Sequence, residues 1–250
     1  MKSVFILLVA TILTMGCYKE KNYNVDSKNS SNLFGVSVSK VSIPADATST
    51  TQITVSFDKS VDSLKAATIF KTTTGIFTES GSNTLTASPK YNYDSAKLII
   101  SVKLKSPQNV DSATVSVTVG GFTKSITIQF IRAYPEMSKL TANTLVIKPK
   151  NNSEGEVQFT NKISKTTGLP SLDNIVDMFV HDTLNNTIGS FRVYSNKSDA
   201  SGATNYIYVL GDSVMNGRNY TGKLFAISKT QIDQSAFSFK MDTVILISSK

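Results

Sequence analysis

The sequence predicts an all-β chain, two tandem β-sandwiches behind an N-terminal export segment and a polar tether. Three observations lead there. Short runs alternate apolar and polar residues with period two across residues 36–130 and again across 157–247, the pattern of strands with one buried face. Turn residues part these runs at roughly ten-residue intervals, as in a sandwich. The 250 residues, less a leader ending at Gly16, suffice for two domains of ~100–120 residues each.

The leader is residues 1–16. Lys2 precedes an apolar run from Val4 to Leu13, and Thr14-Met15-Gly16 leads into Cys17. A charged start, a short apolar core and a small-residue exit describe a secretory signal. Ten helical residues reach only ~15 Å, half a bilayer, so the run is too short to remain as a membrane-spanning helix. Cys17 is the one cysteine in the chain, so once it is modified no disulfide is available. Residues 17–34 hold that cysteine and a stretch rich in Lys, Asn, Ser and Asp, which reads as a flexible tether of ~20–25 Å.

The first domain is expected over residues 35–133. Ile53, Val55 and Phe57 alternate, as do Leu98, Ile100, Val102 and Leu104, then Val115, Val117 and Val119, then Ile126, Ile128 and Phe130. Gly120-Gly121 between the last two runs signals a tight hairpin. Ala133-Tyr134-Pro135-Glu136 is a short, stiff joint, because Pro135 biases Tyr134 to extended backbone. The second domain is expected over residues 137–250. Its strands are marked by Val157 and Phe159, Met178 and Val180, Phe191 and Val193, Ile207 and Val209, and Val244 with Ile245-Leu246-Ile247. Leu172 to Asp177 is read as a short helical turn.

Several stretches resemble known families. Thr14-Met15-Gly16-Cys17 resembles the lipobox of bacterial lipoproteins, with Thr14 in place of the usual leucine. That likeness implies lipid on Cys17, a stable multi-chain anchor and, since Tyr18 is not Asp, the outer membrane. An ordinary signal peptide with an incidental thiol is the alternative. Lys19-Glu20-Lys21 faintly resembles the charged export tags of Bacteroidota surface lipoproteins. Pro44 to Val55, Thr68 to Phe77 and Ala113 to Gly121 resemble, in order and spacing, an invasin-type bacterial immunoglobulin-like domain. Such domains act as spacers and adhesive modules. Val214 to Ala226 resembles the E–F corner of a fibronectin type III domain, with Tyr220 as the structural corner tyrosine whose hydroxyl caps a buried backbone group.

The residues carry little chemistry. His181 is the one histidine and stands beside Asp182, with no Gly-x-Ser-x-Gly nucleophile to complete a triad. No carboxylate spacing matches a calcium loop. No catalytic residue, metal ligand or cofactor is therefore assigned. The net charge of +8 is spread over scattered lysines, a solvated surface with no groove for nucleic acid. The candidate binding patch is aromatic. With Ile207 and Val209 taken as inward, Tyr206 and Tyr208 point outward, and in Phe191-Arg192-Val193-Tyr194 the same parity exposes Arg192 and Tyr194. Together they would suit a glycan or a surface protein. The expectation is a non-enzymatic, lipid-anchored surface protein that binds, adheres or spaces. A glycan-binding accessory lipoprotein of a polysaccharide-utilisation system is the alternative, and a hydrolase a more distant one.

Overall fold

The computed structural model describes residues 33–57, 67–148, 155–210, 220–235 and 238–248. Cys17, the leader and the tether up to residue 32 lie outside them, as do residues 211–219 leading into Tyr220.

Among the described residues ten strands build the first sandwich: β1 (Phe34–Val38), β2 (Ser42–Pro44), β3 (Thr50–Phe57), β4 (Thr68–Thr72), β5 (Ile76–Phe77), β6 (Thr84–Ala87), β7 (Lys90–Asn92), β8 (Lys97–Lys105), β9 (Asp111–Val119) and β10 (Phe122–Ile131). One sheet runs β1-β3-β8 with β5 and β7 both on the far side of β8, and the other runs β2-β10-β9-β4-β6. The opening strand thus crosses between sheets, β1 pairing antiparallel with β3 and β2 parallel with β10. Thr51 holds the crossover. Its buried hydroxyl accepts from the Lys40 N–H at 3.1 Å and donates to the Lys40 carbonyl at 2.8 Å, so the backbone groups freed at the kink are satisfied.

Eight described strands build the second: β11 (Met137–Ala142), β12 (Val146–Ile147), β13 (Gly155–Ser164), β14 (Val176–His181), β15 (Ser190–Tyr194), β16 (Ala203–Leu210), β17 (Gly222–Gln231) and β18 (Phe239–Ser248). Its sheets are β11-β13-β16-β15 and β12-β18-β17-β14. Again the opening strand divides, and β12 runs parallel to the last strand, β18. Asn143 sits at this crossover, where its N–H donates to the Gln158 carbonyl and its Oδ1 accepts from the Gln158 N–H.

Both halves therefore have immunoglobulin-type topology, two sheets between which the opening strand is divided, its second part lying at the edge beside the last strand. The fibronectin-type expectation for the second half is corrected by β15. It hydrogen-bonds β16 and so stays in the sheet of β11 and β13, the placement of an immunoglobulin fourth strand.

The alternating residues of the first half form one core. Ile53, Val55 and Phe57 meet Val102, Leu104, Val115, Val117, Ile128 and Phe130, with Phe70 and Phe77 in edge contact at 5.9 Å. Gly120 and Gly121 turn β9 into β10 with φ of +55° and +86°, the left-handed pair that a two-residue hairpin requires. Leu172 to Asp177 is not helical. Asp173 takes φ +57°, which stops a right-handed turn from propagating, and β14 begins at Val176.

Candidate functional site

The tyrosines expected outside are inside. Tyr206 and Tyr208 are 1% and 0% exposed, among the largest fully buried side chains of the described residues. The outward reading of Tyr206 and Tyr208 is thereby overturned. Both apolar parities of β16 are plausible from sequence, since Tyr206-Ile207-Tyr208-Val209 is apolar at every position. The partner strands decide. Tyr206 stands opposite Phe159 and Tyr208 opposite Val157 on β13, and both partners face the core. The rings span the gap between sheets, and their hydroxyls end on backbone acceptors. Tyr206 donates to the Val176 carbonyl at 2.6 Å and Tyr208 to the Ile188 carbonyl at 2.7 Å. Satisfied in this way, the polar tip costs little on burial. Burial pushes the Tyr206 phenol up to about 12 and the Tyr208 phenol higher still.

Arg192 and Tyr194 also part company. Both are exposed as expected, Tyr194 at 45%, but a bulge between Phe191 and Val193 sends their side chains to different sides of the strand. Arg192 lies outside, in an ion pair with Glu156 at 3.0 Å. Tyr194 turns toward the inner aromatics, its ring 5.3 Å from Tyr206 and 5.5 Å from Phe191, and its hydroxyl accepts from the Met178 N–H at 3.3 Å. The four residues form no common surface.

Tyr220 packs its ring against the second core. Its hydroxyl donates to the Lys223 carbonyl at 2.8 Å, an exposed bond to the start of β17 three residues on, rather than to a buried group across the corner. His181 ends β14 and stacks on Phe179 at 6.1 Å. Asp182 does not orient it. That carboxylate accepts from the Asn186 side chain and from the N–H groups of Asn186 and Leu184, so it shapes its own loop. The Asn186 side-chain bond leads in holding Asp182 below the usual carboxylate range, against a smaller opposing effect of burial. No group of three or more His, Cys, Asp or Glu side chains able to hold a metal occurs among the described residues.

The geometry concentrates instead at the joint between the sandwiches. The loop from residue 165 to 175, between β13 and β14, folds back onto the first sandwich. Ser171 is its pivot and is fully buried. Its hydroxyl donates to the Ala45 carbonyl at 2.8 Å and accepts from the Ala133 N–H at 2.8 Å, while its N–H donates to the Ala133 carbonyl at 3.0 Å. The Leu169 N–H donates to the Asp46 carbonyl at 2.9 Å and the Leu172 N–H to the Gln108 carbonyl at 3.1 Å. The Gln108 side chain donates to the carbonyls of Pro170 and Ala200, and Arg132 donates to those of Leu172 and Asp173.

Gly168 makes the approach possible. At φ +74°, a Cβ there would lie 2.5 Å from Thr48 Oγ1 and 2.9 Å from the Asp46 carbonyl oxygen. Asp46 is itself fixed. Burial pushes its carboxyl up, but hydrogen bonds from Ser49 and Thr48 outweigh this and hold it below the usual range. None of these joint residues stands out by type in the sequence. The one available signal is a loop, Gly168-Leu169-Pro170-Ser171, that carries apolar residues where a solvated loop would not.

No family model matches the chain, and no curated protein does. Solved structures do. The Yersinia pseudotuberculosis adhesin InvE is 15% identical with a TM-score of 0.49, covering 88% of this chain and 60% of its own. The D0-D1 domain of intimin is 16% identical with a TM-score of 0.30, covering 85% of this chain and 97% of its own. The titin A168–A169 pair is 11% identical with a TM-score of 0.43, covering 87% of this chain and 98% of its own. The chain thus spans 60% of the length of InvE. The fold described above rests on strand order and register, not on these likenesses.

Proposed function

We propose that the chain is a non-enzymatic, lipid-anchored surface protein whose two sandwiches form one stiff spacer, presenting the second as a binding or adhesion module. The observation that carries this reading is the joint. A flexible linker would leave its backbone groups to water. Here the buried Ser171, with Leu169, Leu172, Gln108 and Arg132, commits donors and acceptors from one sandwich to the other. A spacer needs that fixed geometry, whereas independent domains do not. Anchoring rests on Gly16-Cys17 after the apolar run, and the outer membrane follows from the lipobox resemblance. Burial of Tyr206 and Tyr208 leaves the glycan-capture alternative without the stacking platform suggested for it.

Two measurements test the reading. Cys17→Ala should move the protein from the membrane to the soluble fraction, and persistence in the membrane would refute the anchor. In a Cys17→Ser background, which leaves no native cysteine, spin labels at Asn83→Cys and Gln158→Cys, both exposed, should give one narrow distance distribution. A broad one would refute the stiff spacer.

A further inference from the structure

The two sandwiches share a topology but differ on one face. In the first, the outer side of the central strands β9 and β10 is lined by hydroxyls. Thr118 stands opposite Thr123, Ser116 opposite Ser125 and Thr114 opposite Thr127, with Thr118–Thr123 and Ser116–Ser125 hydrogen-bonded across the pair. Ile69 on neighbouring β4 and Ile131 at the end of β10 are the apolar exceptions. In the second, the corresponding strands are β17 and β18, and the same outward positions carry Phe225 opposite Ile245, Ile227 opposite Thr243 and Lys223 opposite Ile247. Phe179 on β14 extends the row from Ile227. Met241 is 65% exposed, Ile245 and Ile247 49% each, and Phe179 42%. Strand propensity does not demand this, since Thr serves the first sandwich in the equivalent place.

We infer that this face of the second sandwich docks a second copy of the same chain, side by side, about a two-fold axis parallel to the strands and between β17 and β18. Area supports it. Phe179, Phe225, Ile227, Met241, Ile245 and Ile247 leave on the order of 450 Å² of apolar surface in water, within the ~300–600 Å² of the largest patch on a monomer, which is often functional. With Val146 and the lysine stems the face reaches roughly 600 Å² per partner, the low end of protein interfaces, where association is weak and reversible. Shape supports it as well, because the natural cover for a bare sheet face is another sheet face, stacked ~10 Å away.

Charge selects the axis. Lys229 and Asp177 are register partners at one end of the face, and Lys223 lies at the other. An axis perpendicular to the strands would set Lys223 over Lys229 of the second copy, a like-charge opposition that costs affinity. The parallel axis sets each residue over its own register partner. Phe225 then meets Ile245, Ile227 meets Thr243, and both lysines lie over apolar side chains, Lys229 over Met241 and Lys223 over Ile247. This axis also keeps both joints at the same end, consistent with two chains anchored in one membrane. The docked face does not depend on the joint being stiff, and the label-distance experiment fails or succeeds separately from it.

The test is sedimentation velocity of the full chain carrying Cys17→Ser over a concentration series, with thermal melts of every variant. The parent should show a reversible monomer–dimer equilibrium. Ile245→Lys should weaken it ten-fold or more while keeping the parent melting temperature, because the side chain is half exposed. Thr127→Lys on the hydroxyl-lined face should leave it unchanged. Lys223→Glu separates the axes, since tighter association would mean a contact with Lys229 and would overturn the parallel arrangement, whereas unchanged or weaker association supports it. A monomer at the highest soluble concentration overturns the inference. So does a monomer that floats with phosphatidylglycerol vesicles and loses this with Ile245→Lys, which would assign the face to a lipid surface.

Discussion

Gly168→Ala should unlock the two sandwiches without unfolding either. Two costs combine. The residue sits at φ +74°, where an L side chain costs ~1 kcal/mol. The added Cβ would stand 2.9 Å from the Asp46 carbonyl oxygen, which is backbone, and 2.5 Å from Thr48 Oγ1, which is already hydrogen-bonded to the Asp46 carboxylate at 3.1 Å. Neither neighbour can give way cheaply, so the loop retreats. The first bond lost is Leu169 N–H to the Asp46 carbonyl, and Ser171 to Ala45 is weakened next. At ~1 kcal/mol each, the total is about 2–3 kcal/mol. Gly81→Ala is the control. It has a similar φ of +65° but nothing within 4 Å of the new Cβ, so it should cost only the ~1 kcal/mol of backbone strain. Calorimetry and the label-distance width should separate the two: Gly168→Ala broadens the distribution and Gly81→Ala does not. Equal effects would refute the joint as a fixed contact.

Three further outcomes follow from the same geometry. Tyr206→Phe should destabilise by ~1–2 kcal/mol in a denaturant titration, because it removes a buried hydroxyl bonded to the Val176 carbonyl at 2.6 Å; no change would mean the hydroxyl is not buried in solution. Tyr220→Phe should cost less than Tyr206→Phe in the same titration, since its bond to the Lys223 carbonyl is exposed, and a larger loss would restore the buried-corner role. Glu136 is held down to about 2, from 4.5, by the Thr166 hydroxyl and N–H and by Lys165. A depressed carboxylate contributes stability above its unfolded value and loses it as pH falls through the folded one, so melting temperature should drop between pH 4.5 and about 2. Glu136→Gln should flatten that slope, and superimposable pH profiles would rule out the contact.

Local pattern alone determined much of this fold. Alternation at Ile53–Phe57, Leu98–Leu104 and Val115–Val119 identified strands and their buried sides, because one parity there is apolar throughout and the other is polar save for Ile99. Gly120-Gly121 located a hairpin because few other residues tolerate its backbone. Where both parities are apolar the rule has nothing to choose between. Tyr206-Ile207-Tyr208-Val209 is one case, and its inward face was decided by Phe159 and Val157 across the sheet and by carbonyls at Val176 and Ile188. Ile245-Leu246-Ile247 is another, and there the unbroken apolar run was itself the sign that the outer face is apolar too. The bulge at Arg192 shifted parity by a local irregularity that no periodicity encodes. The joint lay furthest from view. Ser171 bonds Ala45 across 126 residues of chain, and a serine, a glycine and a glutamine in loops have no periodic signature. Only tertiary structure brings such residues together, because their partners are backbone atoms whose positions the whole of both sandwiches must first establish.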